Sequence, residues 1–255
     1  AAIRPILREN LRGNSIRCRD HELSRRGDGL RVWYSNDVHL DGNKITQCRD
    51  TLIWHAQRIL IENNRIQDGM YGLHFMYSDD AIIRNNQFSG NSVGTYLMYS
   101  RHLTLSDNQM LWNRGPSGYG IALKDADDVV VERNVVAGNR SALYLDNSPT
   151  LSDANNRLID NLFAYNDIGI SALPSVAHNI FQRNAFLENT QQVSTLGRGN
   201  LLRNIWQLDG FGNYWSDYIG YDGNRDGIGD MPYRAEKLFE GLADEHAALR
   251  LFTYS

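Results

Sequence analysis

Residues 72–100 state one pattern twice, and that repetition leaves the chain very few folds to choose from. Gly72-Leu73-His74-Phe75-Met76-Tyr77-Ser78 returns 22 positions later as Gly94-Thr95-Tyr96-Leu97-Met98-Tyr99-Ser100. Each copy leads to an asparagine followed two residues on by an apolar side chain, Asn86 with Phe88 and Asn108 with Met110. A period near 22 residues, built from short alternating segments, is the mark of a solenoid whose coils cover one another. The Asn-x-apolar element then phases the chain at Asn14, Asn43, Asn64, Asn86, Asn108, Asn134, Asn161, Asn184 and Asn204, with intervals of 29, 21, 22, 22, 26, 27, 23 and 20 residues. The long intervals hold insertions at residues 18–28, 114–119 and 147–155, rich in charges or turn formers, which read as looped-out turns.

Between markers the apolar residues alternate with period two, as at Ile59/Ile61 and Val129/Val131, and Gly, Asn and Asp fall at the corners. A leucine-rich repeat has a similar length, but its Leu-x-x-Leu-x-Leu frame does not recur. The pattern predicts an all-β chain: a right-handed parallel β-helix of about nine rungs over residues 1–207. An irregular sandwich explains the alternation but not the phase. Each marker asparagine is expected to turn a corner in left-handed backbone and to bond the amides of neighbouring rungs. Residues 208–255 break the repeat. They read as a C-terminal cap over the open strand edges, with an Asp-rich loop and a short helix within 235–251.

Aligning the rungs puts Leu30, Thr51, Leu73, Thr95 and Ile121 in one core column, with Val32, Ile53, Phe75, Leu97 and Leu123 in another. The alternate positions then face outward: Arg31, Leu52, His74, Tyr96 and Ala122, and Trp33, Trp54, Met76, Met98 and Lys124. Two Trp and two Met make an unusual stripe for solvent. His74 and Met76 share a face of one strand, and Met98 lies over Met76 one rung on. Imidazole with two thioethers is a soft donor set suited to Cu(I), with Trp54 and Trp33 as shields and Tyr96 as a cover. A packing face without metal accounts for the same stripe.

The tail offers a second candidate. Asp222, Asn224, Asp226 and Asp230 stand at positions 1, 3, 5 and 9 of a calcium-type loop, with Gly227 at 6 and the Ile228 carbonyl at 7. Position 12 is Tyr233 rather than Glu, so this is no EF-hand, and an acidic turn without Ca2+ remains open. No catalytic set emerges. Asp79-Asp80 and Asp127-Asp128 read as turn acids, and Asp125 and Asp146, though near in register, lack an Arg or His accomplice. No phosphate loop or nucleophile elbow is present. Cys18 and Cys48 follow their markers in adjacent rungs, close enough either to bridge or to be buried free. A formal net charge of -4 argues against nucleic-acid binding by bulk electrostatics. No run of 18 apolar residues or signal-peptide pattern occurs.

The paired Met-Tyr-Ser rungs, with Gly212-Asn213-Tyr214-Trp215-Ser216-Asp217-Tyr218 and Asp226-Gly227-Ile228-Gly229-Asp230, resemble the NosD family of copper-binding accessory proteins of nitrous oxide reductase maturation. The resemblance runs from about Gly29 to Tyr233. It implies a periplasmic, non-enzymatic copper handler, monomeric by itself, that touches the membrane only through an ABC transporter (permease and ATPase subunits). It also implies a copper-chaperone lipoprotein and nitrous oxide reductase as partners. A carbohydrate-active or carbohydrate-binding β-helix is the alternative. Such proteins are usually longer at both ends, so the chain is expected to be a C-terminal portion of one. The resemblance names no copper ligands.

Overall fold

The computed structural model describes residues 2–3, 9–19 and 21–235. They form an all-β, right-handed parallel solenoid with three sheets and almost no helix, as the repeat predicts. The first sheet stacks nine strands in chain order, among them Leu30–Trp33, Asp50–Trp54, Tyr71–Met76, Val93–Met98 and Tyr119–Lys124. The second holds eight, from Glu9–Arg12 to Asn179–Gln182, and the third nine, from Ser15–Arg17 to Tyr214–Trp215. Residues 217–255 form a separate compact unit. Its expected helix within 235–251 lies, beyond residue 235, outside the described residues. Among those described, no helix is long and apolar enough to cross a membrane.

Alternation along each strand builds the core. Val32, Ile53, Phe75, Leu97 and Leu123 are completely inaccessible, and in the third sheet Phe88, Met110, Val136, Phe163 and Phe186 stack as a second inner column. Fully burying each such side chain stabilises the rod by ~2 kcal/mol. The repeated glycine of the pattern has a steric cause. A Cβ at Gly72 would stand 2.5 Å from the Gly94 carbonyl oxygen, and one at Gly94 would stand 2.5 Å from that of Gly120. Only glycine lets the rungs approach there.

The corners carry hydrogen-bonded ladders. The marker asparagines from Asn43 to Asn184 are buried and linked head to tail, with the exposed Asn14 donating to Asn43 at the near end. The Asn108 Nδ2 donates to Asn134 Oδ1 at 3.0 Å and to the Ile83 carbonyl at 2.8 Å, while its Oδ1 accepts from the Asn86 backbone N–H at 2.9 Å. The left-handed residue is not the asparagine itself but the one before it: Asn63, Asn85, Asp107, Arg133, Asp160 and Arg183 all have φ between 52° and 58°. That residue reverses the chain so that the next side chain enters the core. At the far end the ladder passes from Asn184 to Asn213, not to Asn204. Asn204 instead closes another ladder through Asn156 and Asn179. A loop after residue 195 delays the last turn, and Trp215 then pairs with Phe186. A third series runs Asn91, Asn113, Asn139, Asn166 and Asn189, five residues after successive markers.

Cys18 and Cys48 form a disulfide, so of the two readings the bridge holds. It ties the first insertion to the rung above it, across a sequence separation of 30.

Two outcomes test this account. Asn108→Ala leaves the Asn86 N–H without its acceptor and removes the side-chain donor to the Ile83 carbonyl, while Asn134 Oδ1 keeps the Asn108 backbone N–H. It should cost about 3 kcal/mol or more in urea unfolding, at ~1–3 kcal/mol per orphaned group. A loss below ~1 kcal/mol would show that the ladder does not hold the corner. Cys18→Ser/Cys48→Ser should cost about 3.5 kcal/mol on the loop-entropy model, and an unchanged denaturation midpoint in that variant would contradict it.

Candidate functional site

The outward face of the first sheet brings the predicted residues together. Met76 pairs with Met98 on one side and Trp54 on the other, and His74 pairs with Tyr96 and Leu52. Their strand neighbours Leu73, Phe75 and Leu97 are fully buried, so His74, Met76 and Met98 stand on the outer side, each half-buried. Leu52 and Ala122 belong to the same outward column yet are themselves buried, being short residues between larger ones. Trp33 stacks on Trp54 with ring centroids 6.4 Å apart. Above Met98 the column ends in an ion pair, Lys124 Nζ to Asp146 Oδ2 at 2.7 Å, which holds the ammonium above its usual range.

His74 is the centre of this face. Its side chain is 14% accessible, and neither ring nitrogen has a hydrogen-bond partner. The Nδ1 lies 3.9 Å from Asp50 Oδ2, and the ring packs against Tyr71, at 4.6 Å, and Tyr96, at 6.1 Å, whose own rings are 6.0 Å apart. Burial first, and nearby tyrosines and acids second, push the hydroxyls of Tyr71 and Tyr96 up, so both stay neutral. Among the described residues up to 216, the buried side-chain N and O atoms with no hydrogen bond belong to Asp50, Thr51, Trp54, His74 and Thr95. All five stand on three successive rungs of this sheet. Buried polar groups are rarely left unpaired; Thr51 and Thr95 point into the core, whereas Asp50, Trp54 and His74 stand on the outer face with the two thioethers. The donor chemistry fits a soft cation.

Sequence reasoning missed what frames these residues. Asp50 and Tyr71 escaped it because the alignment ran one column short of them. It also missed a stack of rings one position beyond the Trp/Met column: Tyr34 on His55 at 4.7 Å, His55 on Tyr77 at 5.1 Å, and Tyr77 on Tyr99 at 4.8 Å. All four residues are left-handed, and Tyr34, Tyr77 and Tyr99 are exposed. The Tyr-Ser of each repeat was the signal, since the buried Ser78 and Ser100 hydroxyls cap the same corner.

The turn acids serve the scaffold. Asp79 accepts from the Arg101 N–H, Asp127 from the N–H groups of Thr150 and Leu151, and Asp125 from Asn147. Asp80 faces His102 at 3.2 Å. His39, Asp41 and Glu62 form the one group of three His or acidic residues among those described whose ligand atoms all lie within 4.8 Å. Arg12 bonds His39 Nδ1 at 2.8 Å, and Glu62 bonds its Nε2 at 2.8 Å while also meeting Arg84. This is a closed ion network on the second sheet.

In the second unit, the Asp-rich loop is organised by its own amides. Asp222 accepts from the N–H groups of Arg225 and Gly227, Asp226 from that of Ile228, and Asp230 from that of Gly223. Asn224 donates to Asp226 at 2.9 Å. Left-handed Arg225 and Gly227 make the turn.

Comparison with known proteins bears on the function of this face. The model of a family described as periplasmic copper-binding protein (NosD) matches residues 9–220. A probable ABC transporter binding protein NosD from Stutzerimonas stutzeri is 35% identical over 96 residues, which cover 38% of this chain and 21% of that protein. Its namesake from Pseudomonas aeruginosa is 35% identical over 99 residues, covering 39% and 22%. The chain thus spans only about a fifth of either relative in the matched region. Among solved structures, the tailspike protein of E. coli bacteriophage HK620 in complex with a pentasaccharide superposes with a TM-score of 0.55 at 11% identity, covering 84% of this chain and 56% of that one. At that identity the likeness is one of fold.

Proposed function

Because this chain belongs to the NosD family of periplasmic copper-binding proteins, we propose that the His74, Met76 and Met98 face receives Cu(I) and passes it on, without catalysing a reaction. The observation that carries this reading is the set of unpaired buried polar atoms of Asp50, Trp54 and His74 on the outer face of two successive rungs, beside the thioethers of Met76 and Met98. Copper is cargo here. Two flexible thioethers from adjacent rungs start about 4.8 Å apart and close on a soft ion without backbone movement. A site with three such donors holds copper weakly enough to release it.

The finer role we propose is the one that the resemblance implies. The chain works in the periplasm in the assembly of the copper centres of nitrous oxide reductase, beside an ABC transporter and a copper chaperone. The transporter association agrees with the names of the two relatives. The exposed rings of Tyr34, Tyr77 and Tyr99 lie next to the copper face, where a transfer partner must approach. A carbohydrate-active reading has less support, since the candidate acids are engaged in turns and ion pairs.

Titration with Cu(I) against a competing chelator tests this reading. The wild-type chain should take up one copper, and Met76→Leu and Met98→Leu, which keep the volume and remove the sulfur, should each weaken it by at least tenfold, ~1.4 kcal/mol. Glycan binding together with no copper uptake in the wild-type chain would reverse the assignment.

The loop with Asp222, Asn224, Asp226, the Ile228 carbonyl and Asp230 is proposed as a Ca2+ site, because its acids repel one another unless a cation neutralises them. Calcium at a hundred times its Kd should add about 2.7 kcal/mol to the stability of this unit. The same melting temperature in excess calcium and in excess chelator would leave it as an acidic turn.

A further inference from the structure

The copper face has a hard neighbour that the soft donor set leaves unused. Asp50 is an outward residue of the strand Asp50–Trp54 and is only 8% accessible. Its Oδ1 has no hydrogen-bond partner, and its Oδ2 lies 3.6 Å from Arg49 Nε and 3.9 Å from His74 Nδ1. Arg49 reaches Asp50 only as a 3.6 Å ion pair, its hydrogen bonds going, like those of Arg31, to Asp28, at 2.7 Å and 2.9 Å. A buried carboxylate without its own donors costs several kcal/mol unless a cation or a proton neutralises it.

A register shift brings the acid to the imidazole. Tyr71 pairs with Asp50, but His74 pairs with Leu52, so the strand Tyr71–Met76 gains one residue between those two pairings. Such a bulge re-aims side chains, and here it sets His74 on the diagonal from Asp50, with the Tyr71 ring packed against the imidazole. The 3.9 Å gap is too long for a hydrogen bond. It is close to the spread of a nitrogen and an oxygen donor flanking one ion at about 2 Å each.

We propose that Asp50 is a fourth donor of this face, forming with His74 a nitrogen–oxygen end that takes Cu(II), beside the His74, Met76 and Met98 end that takes Cu(I). The inference rests on the copper reading above and extends it to the second oxidation state. Divalent copper favours imidazole and carboxylate, whereas monovalent copper favours thioether. The carboxylate also supplies the additional negative charge that the divalent ion requires. One face thus offers donors matched to either form, with His74 common to both.

The two ends separate in titrations with Cu(II) and, as a redox-inert soft probe, Ag(I). Asp50→Asn should weaken Cu(II) binding about ten- to a hundredfold and alter its electron paramagnetic resonance spectrum, while Ag(I) affinity stays within about threefold. Met76→Leu/Met98→Leu should do the converse. His74→Gln should weaken both. Melting curves establish that each variant is folded. In the wild-type chain alone, bound Cu(II) should show one nitrogen donor, and a spectrum with several would overturn the assignment without any variant. Unaltered Cu(II) binding in Asp50→Asn would overturn it too, as would loss of Cu(II) in His39→Ala, which would put the ion on the His39–Asp41–Glu62 network. Ag(I) binding without Cu(II) binding defeats this inference alone. Binding of neither ion defeats the copper reading as well.

Discussion

The carboxamide of one buried asparagine per rung is the interaction on which the rest depends. A parallel coil must turn three times, and each turn brings backbone amides inside that no strand can pair. The Asn108 side chain meets that need in both directions, accepting from the rung before and donating to the rung after and to a carbonyl of the rung before. Its geometry admits one rotation of each rung relative to the next. That rotation is what makes columns, and a column is what turns residues 22 apart in sequence into neighbours. Met76 and Met98 face one another because Asn64, Asn86 and Asn108 are stacked.

The same ladders explain how the protein divides its polar groups. Along the corners, buried amides and hydroxyls are paired almost without exception among the described residues, at distances near 2.9 Å for most of the asparagine series. The exposed arginine–aspartate pairs that decorate the outside, such as Arg58 with Asp37 and Arg183 with Asp160, add little apiece in water. Among the described residues up to 216, unpaired atoms sit on three rungs of the first sheet, at Asp50, Trp54 and His74 on its outer face and at Thr51 and Thr95 on its inner face. A scaffold this thorough elsewhere makes the exception informative.

Most of the fold was legible because it is written in repetition. The phase of the asparagines gave the rungs, and the alternation between them gave the inward and outward columns, so the register of His74, Met76 and Met98 came directly from spacing. What was hidden lay where the repeat changes its count. The bulge between Tyr71 and His74 moves Asp50 diagonally, which no fixed period encodes. The loop after residue 195 lets Asn213 take the place that spacing assigns to Asn204. Local backbone was misjudged for a different reason: asparagine favours left-handed turns in isolation, yet here its amide is needed inside. The preceding residue therefore takes the strained angle, whether it is Asn85, Asp107 or Arg133. The ring stack of Tyr34, His55, Tyr77 and Tyr99 follows from that same position, since left-handed corners aligned along an axis align whatever they carry.

The close likeness of the rungs that hold Met76 and Met98 says something about how such a face can arise. In a globular fold, a second ligand for an ion has to be found by substitution at a distant position whose geometry was set for other reasons. In this rod, copying one rung's coding sequence places an identical side chain directly above the original, with the ladder extended by one asparagine and the core by one layer. A single outward methionine thereby becomes a pair without any other change. Later divergence, as between His74 and Tyr96, then gives the two stacked positions different side chains.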